Sequence, residues 1–321
     1  MRLASAFAAL LGLFASATVP SQAEAADKKL CVYDPSGSAG PVFQHAKKYQ
    51  AAAAQWGVTF ELKPFTDESV AAADFRNGKC DAALITGVRM QQFNKATFSL
   101  EAIGLIPSYD VLERSISTLA SPKAAKLMVS GDYEVGGIFP AGAVYLYLQD
   151  RAVSDAKDLA GKKICTMSFD KAANSMVGVI GAQAVASDVS NFASKFNNGS
   201  CDVAYAPATA YTPLELYKGL GEGGGLVRYP LAQMTLQLVI RGDFPEGYGQ
   251  KSRAWAASQF SALMPNVKKA EGEVKAQYWV EVTGDKKAGY DAMLAEARGN
   301  LVSQKVYDPT VVKLVEALAR Q

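Results

Sequence analysis

Apolar and polar positions divide the chain into short segments of two different periods. Residues 58–65 alternate apolar and polar side chains, the pattern of a half-buried strand. Residues 82–85 are apolar without interruption, as expected for a strand covered on both faces of a parallel sheet. Residues 69–76 between them read as a helix stopped by Asn77-Gly78. Ahead of these, residues 46–56 are rich in good helix formers and close on Gly57. The second half predicts a helix over 174–179, a strand over 183–186, a helix over 188–197 and a strand over 203–206. Residues 134–148 form a long, extended, aromatic stretch, and residues 234–241 alternate; both are expected to carry the chain between two halves. From Gln250 onward the pattern turns helical, over 252–263, 277–282, 290–299 and 309–319.

The two halves repeat each other. Lys28-Lys29-Leu30-Cys31-Val32-Tyr33 recurs as Lys162-Lys163-Ile164-Cys165-Thr166-Met167. Phe75-Arg76-Asn77-Gly78-Lys79-Cys80-Asp81 recurs as Phe196-Asn197-Asn198-Gly199-Ser200-Cys201-Asp202. The order is the same in both, which makes each half one strand–helix–strand–helix–strand unit. Such units predict an α/β fold of two lobes, each a doubly wound, mainly parallel sheet. The repeat also selects one of the three pairings that four cysteines permit. Cys31 pairs with Cys80 and Cys165 with Cys201, because first and third strands of such a sheet are neighbours. A metal site is not expected, since there is no C-x-x-C pair and His45 is the only histidine.

The amino terminus places these cysteines in an oxidising compartment. Arg2 is followed by an apolar run over residues 3–19 and by Ala23-Glu24-Ala25, the layout of a secretory signal cut after Ala25. That run is short for a membrane span, which needs ~20 residues. Residues 26–321 are then too many for one core and natural for two. The net charge of +2 is spread as interleaved acids and bases, with no basic stripe for a nucleic acid.

Catalytic patterns are weak. His45 sits at a helix start and reads as a helix-face residue. Gly37-Ser38-Ala39-Gly40 lacks the spacing of a nucleophile elbow. Gly219-Leu220-Gly221-Glu222-Gly223-Gly224 matches a dinucleotide fingerprint literally but follows a helix, so it is expected to be a flexible loop. Asn198-Gly199-Ser200 matches a glycosylation sequon without significance after a bacterial-type signal.

Binding fits better, because ligands of open α/β sheets sit beyond the carboxyl ends of the strands. After the first strand, residues 34–41 form a small polar loop in which Ser36, Ser38 and backbone N–H groups can meet a polar group. After the third strand come Thr86 and Arg89, the latter able to clamp a carboxylate. The matching positions of the second lobe are Phe169, Asp170, Lys171, Tyr205, Thr209 and Tyr211. Tyr145 and Gln237 on the crossing strands are candidates for the floor. No cofactor is expected.

Lys157-Asp158-Leu159-Ala160-Gly161-Lys162-Lys163-Ile164, with the unit that follows up to Asp202, resembles the second lobe of TRAP-transporter solute receptors. Residues 75–86 resemble the matching part of the first lobe, and nearly all of residues 26–321 is most similar to an AdeT-like branch of solute-binding proteins. Phe244-Pro245-Glu246-Gly247-Tyr248-Gly249-Gln250 belongs to that likeness. The resemblance implies a monomeric periplasmic protein of the two-lobed binding type. It would capture a small organic acid or other polar ligand by hinge closure and hand it to a TRAP-like membrane transporter. A sensor or an efflux-associated module presenting the ligand is the alternative, and an enzyme the weaker one. It implies lobe 1 over 26–138 and about 228–270, lobe 2 over 139–227, and C-terminal helices over 271–321 packing across both. One position departs: TRAP receptors carry a ligand-binding Arg where this chain has Cys165. Arg89, Lys171 or Arg241 would have to replace it, or the ligand is not an acid.

Overall fold

A computed structural model describes residues 26–321; the signal reading of residues 1–25 lies outside the described residues. In chain order the first lobe contains β1 (Ala26–Tyr33), α1 (Pro41–Ala54), β2 (Val58–Phe65), α2 (Glu68–Arg76), β3 (Ala82–Thr86), α3 (Lys95–Phe98) and α4 (Tyr109–Ala120). The short β4 (Val129–Ser130) leads into β5 (Tyr133–Leu148), which crosses to the second lobe. There follow β6 (Lys163–Met167), α5 (Lys171–Val179), β7 (Gln183–Ser187), α6 (Phe192–Asn197), β8 (Val203–Pro207), α7 (Tyr217–Leu220) and β9 (Gly225–Arg228). β10 (Ala232–Arg241) returns to the first lobe, and α8 (Tyr248–Ser258), α9 (Phe260–Glu273), β11 (Trp279–Glu281), α10 (Gly284–Ser303) and α11 (Pro309–Ala319) complete the chain.

One sheet runs through both lobes, in the order β2-β1-β3-β10-β5-β8-β6-β7. At each end stands a parallel triplet, β2-β1-β3 and β7-β6-β8, the two copies of the repeat. Between them β5 and β10 pair antiparallel with their neighbours. Helices cover both faces of each triplet. In the first lobe Phe43, Ala46 and Tyr49 of α1 bury against one face, and Ala71, Ala72 and Phe75 of α2 against the other. In the second, α5 places Met176 and Val177 on one face and α6 places Phe192 and Phe196 on the other. α11 packs on α4 and α10 on α5.

The crossing strand bends where the lobes meet. Its register against β10 skips Ala141 between Pro140 and Gly142. Gly142 has φ +115°, a left-handed conformation that a side chain resists. The bulge frees the Ala141 carbonyl from the ladder, and Thr209 Oγ1 donates to it at 2.9 Å.

Both disulfides form as the repeat requires, with Cα separations of 5.9 Å for Cys31–Cys80 and 5.6 Å for Cys165–Cys201. Several elements depart from the sequence reading. α1 begins earlier than residue 46, at Pro41, a residue suited to the first helical turn. Residues 252–263 are the end of one helix and the start of another, divided at Gln259. The helix expected over 188–197 is only Phe192–Asn197. Residues 277–282, expected to be helical, contain strand β11, because Trp279 and Val280 find a parallel partner in β9. Within the Gly219–Gly224 segment Gly224 is closely packed: a side chain there would collide with the Leu220 and Leu148 carbonyl oxygens.

Replacing Cys165 and Cys201 together by Ala should lower unfolding stability by about 2–4 kcal/mol, since the bridge closes a long loop in the unfolded chain. Urea unfolding of this variant beside the wild type checks the loss, and equal midpoints would show the bridge to be dispensable.

Candidate functional site

Between the lobes lies a cavity of about 330 Å³, a size suited to a small molecule. Its walls are the carboxyl ends of the strands of both triplets. Tyr33 ends β1 and Ser36 follows it, Thr86 ends β3, Met167 ends β6 with Phe169 and Asp170 after it, and Tyr205 lies on β8. The bend of β5 supplies Phe139, Pro140 and Ala141, and β10 supplies Met234 and Leu236. Asn266 and Val267 of α9, and Tyr307 just before α11, close the remaining sides. Most of this lining is apolar.

Three acids reach the cavity, and each is held by donors of the protein. Asp34 is fully buried. Its Oδ1 accepts from the Ser36 N–H at 2.8 Å, and its Oδ2 accepts from Val42 N–H at 2.8 Å and Phe43 N–H at 3.1 Å. The first turn of α1 is therefore occupied by a residue of the chain, and the polar loop over 34–41 has fewer N–H groups to give a ligand than its sequence suggests.

Asp170 caps α5, accepting from the Ala173 N–H at 3.0 Å and from the Tyr205 hydroxyl at 3.2 Å. Desolvation by burial raises its pKa. The same burial pushes the Tyr205 hydroxyl well above its ordinary value, so it stays a neutral donor.

Glu101 lies between α3 and α4. Its Oε1 accepts from the Thr235 N–H and the Thr235 hydroxyl, each at 2.6 Å. Burial pushes its pKa up to about 8, opposed by the Thr235 bonds and reinforced by the charges of Asp170 and Glu68. Gly87 makes room for it, since a side chain there would overlap the Glu101 carboxylate. His45 also faces the cavity, edge-on to Phe139 with ring centroids 4.9 Å apart. Desolvation, with Lys48 nearby, lowers its pKa to about 4, so the ring is neutral.

Of the residues expected at the site, Ser36, Thr86, Phe169, Asp170, Tyr205 and Thr209 line this cavity. The others sit elsewhere. Ser38 is exposed, its carbonyl accepting from Gln44 Nε2, and Lys171 is exposed on the first turn of α5. Gln237 is buried beneath the floor, donating to the Thr97 carbonyl and to Thr235 Oγ1. Tyr145 points to the opposite face of β5 and donates to Glu271 at 2.9 Å, and Tyr211 packs on Tyr217 in the second-lobe core.

Arg89 lies outside the cavity lining and is already engaged. Its Nε donates to Glu68 at 3.2 Å, and its guanidinium carbon lies 3.4 Å from the ring centre of Phe169. Glu68, itself buried, also accepts from the Thr86 N–H at 2.7 Å. Arg89 thus ties the first lobe to the second. Arg241 is remote from the cavity, donating to the Arg76 carbonyl. Sequence reasoning missed Glu101, Phe139 and Tyr307. A lone acid inside the apolar run 98–106 was the available signal for Glu101.

Glu101 binds a proton more readily in the folded chain than in the unfolded one. Its contribution to stability is therefore greatest below the ordinary carboxylate pKa and is lost as pH rises through about 8. Glu101→Gln should gain stability relative to the wild type as pH goes from 5 to 8.5. Thermal unfolding at a series of pH values checks this, and a constant difference would mean that Glu101 is not held protonated.

Comparison with known proteins agrees with the geometry. Residues 50–321 match the family model described as solute-binding protein AdeT 1/2. The chain is 42% identical over 286 residues to the Acinetobacter baumannii protein named "Probable solute-binding protein AdeT1", covering 89% of this chain and 94% of that one. Solved structures share the two-lobed fold. A TRAP periplasmic solute binding protein from Desulfovibrio salexigens with bound orotic acid has a TM-score of 0.74 at 15% identity, covering 92% of this chain and 99% of that chain. One from Chromohalobacter salexigens with bound D-glucuronate has a TM-score of 0.72 at 18% identity, covering 92% and 100%. With its repeated lobes around a cavity that both of them line, this chain belongs to the AdeT 1/2 family of solute-binding proteins.

Proposed function

We propose that this protein is a periplasmic receptor that closes its two lobes on a small solute and delivers it, as a monomer, to a membrane transporter. The observation that carries the reading is a single cavity walled by the strand ends of both lobes and floored by the strands that join them. A ligand held there touches both lobes, which is the condition for its binding to drive closure. Residues 1–25 act as the export signal, and two disulfides suit the oxidising compartment beyond the membrane.

The moving bodies are residues 26–138 with about 228–270, and residues 139–227. Residues 271–321 lie across both, since α10 packs on α5 and α11 on α4. Ser36, Thr86, Phe169, Asp170, Tyr205 and Thr209 contact the solute. The bulge at Ala141–Gly142 is the point about which the lobes turn. Phe169 has a double part, as cavity wall and as the surface on which Arg89 of the other lobe rests.

A thermal-shift screen against carboxylates, amino acids, sugars, amines and neutral aromatics tests capture. A ligand at 100 times its Kd adds about 2.7 kcal/mol if it binds only the folded chain. A hit recovered chemically unchanged supports the reading; consumption of the hit would replace it by an enzymatic one. Phe169→Leu keeps an apolar wall and removes the ring under Arg89. It should speed ligand release by roughly thirtyfold, the worth of a desolvated cation–π contact of about 2 kcal/mol. Stopped-flow dissociation checks it, and an unchanged rate would exclude the Arg89–Phe169 contact from holding the lobes together.

A further inference from the structure

Apart from His45, which is neutral, the acidic and basic side chains that face the cavity are all acids. Asp34, Glu101 and Asp170 reach it, and among the described residues no Lys or Arg side chain lines it. The cation that could have served is committed: Arg89 lies between Glu68 and the ring of Phe169. A carboxylate brought here would be stripped of water with no counter-charge and would join three acids. From this we infer that the solute is an organic cation, an amine on a largely apolar body, held between Glu101 of the first lobe and Asp170 of the second. The inference rests on the capture reading above.

Several features support that assignment. Both Thr235 bonds fall on Glu101 Oε1, and no donor among the described residues is placed on Oε2. Asp170 raises the pKa of Glu101, so the two acids sense each other across the lobe boundary. An ammonium group between them favours the ionised form of Glu101, which gives up its proton, and is then attracted to an acid of each lobe, so that binding favours the closed form. The titratable neighbours of Glu101 are the acids Asp170 and Glu68 and the phenol of Tyr307, none of which supplies a positive charge. Phe98, Phe139 and Tyr205 line the same space and offer aromatic surface to the body of the ligand and to its charge.

Three probes that share one apolar body separate the head groups: tryptamine, tryptophol and indole-3-acetate. Titration calorimetry of the purified chain at pH 7 should rank tryptamine first and indole-3-acetate last, with at least about a tenfold span in Kd. Glu101→Gln should remove most of the advantage of tryptamine over tryptophol, and circular dichroism confirms that the variant is folded. The wild-type ranking stands as a test whether or not that variant folds. Binding of indole-3-acetate as tight as that of tryptamine overturns the charge assignment and leaves solute capture intact. If none of the three binds, the head group of whichever compound scores in the wider screen decides: an amine upholds the assignment and a carboxylate overturns it. A blank across the whole screen overturns capture and assignment together.

Discussion

The structure depends on one constraint: every backbone group of β5 must be paired in whichever lobe it occupies. The strand runs from Tyr133 to Leu148, pairs with β10 along its first part and with β8 and β9 along its last. Two lobes are thereby built onto one sheet, and their relative position is fixed by hydrogen bonds rather than by a loose linker. The ladder relaxes where Ala141 is passed over and Gly142 takes a left-handed φ. That irregularity, one of two in the pairing with β10, lies in the cavity wall and is tied to the second lobe through Thr209. The floor of the cavity and the proposed hinge are consequences of the same strand.

The second organising feature is how the chain disposes of its buried charge. Glu68 is neutralised by Arg89 and the Thr86 N–H, Asp34 by three backbone N–H groups, and Asp170 by a helix start and a tyrosine. Glu101 is held only by the N–H and hydroxyl of Thr235, and burial pushes its pKa up to about 8. Away from the cavity, Arg253 is buried against Glu134 and the Val135 carbonyl and locks α8 onto the first part of β5. Burying a charge without such partners is costly, so each of these arrangements is strongly specified. The effect in the cavity is a wall that is apolar, aromatic and acidic. It differs from what a carboxylate receptor needs, although the fold is shared with proteins whose structures hold orotic acid and D-glucuronate.

Much of this was legible in the order of residues. The recurrence of Lys-Lys-x-Cys and of Asn-Gly-x-Cys-Asp determined the two lobes, the parallel triplets and the disulfide pairing, because each rests on local periodicity and on strands that are neighbours by topology. The loops at the strand ends followed from the same logic, which is why Ser36, Thr86, Phe169, Asp170, Tyr205 and Thr209 fall at the cavity. Local pattern failed where a distant partner decides. Trp279 and Val280 become a strand only because β9 is beside them. The direction of a side chain from a crossing strand is likewise a tertiary matter: Tyr145 and Phe139 are equally aromatic, and only the bend of β5 sends one to Glu271 and the other to the cavity. The tertiary structure also decided what Arg89 does, since a guanidinium binds whichever carboxylate and ring the fold brings to it, and here these are Glu68 and Phe169. The sequence by itself determined the scaffold through short-range periodicity and repetition. The acidic character of the cavity was decided only by the folded chain, because it depends on which acids the fold turns toward the cavity and on its committing Arg89 to Glu68 and Phe169.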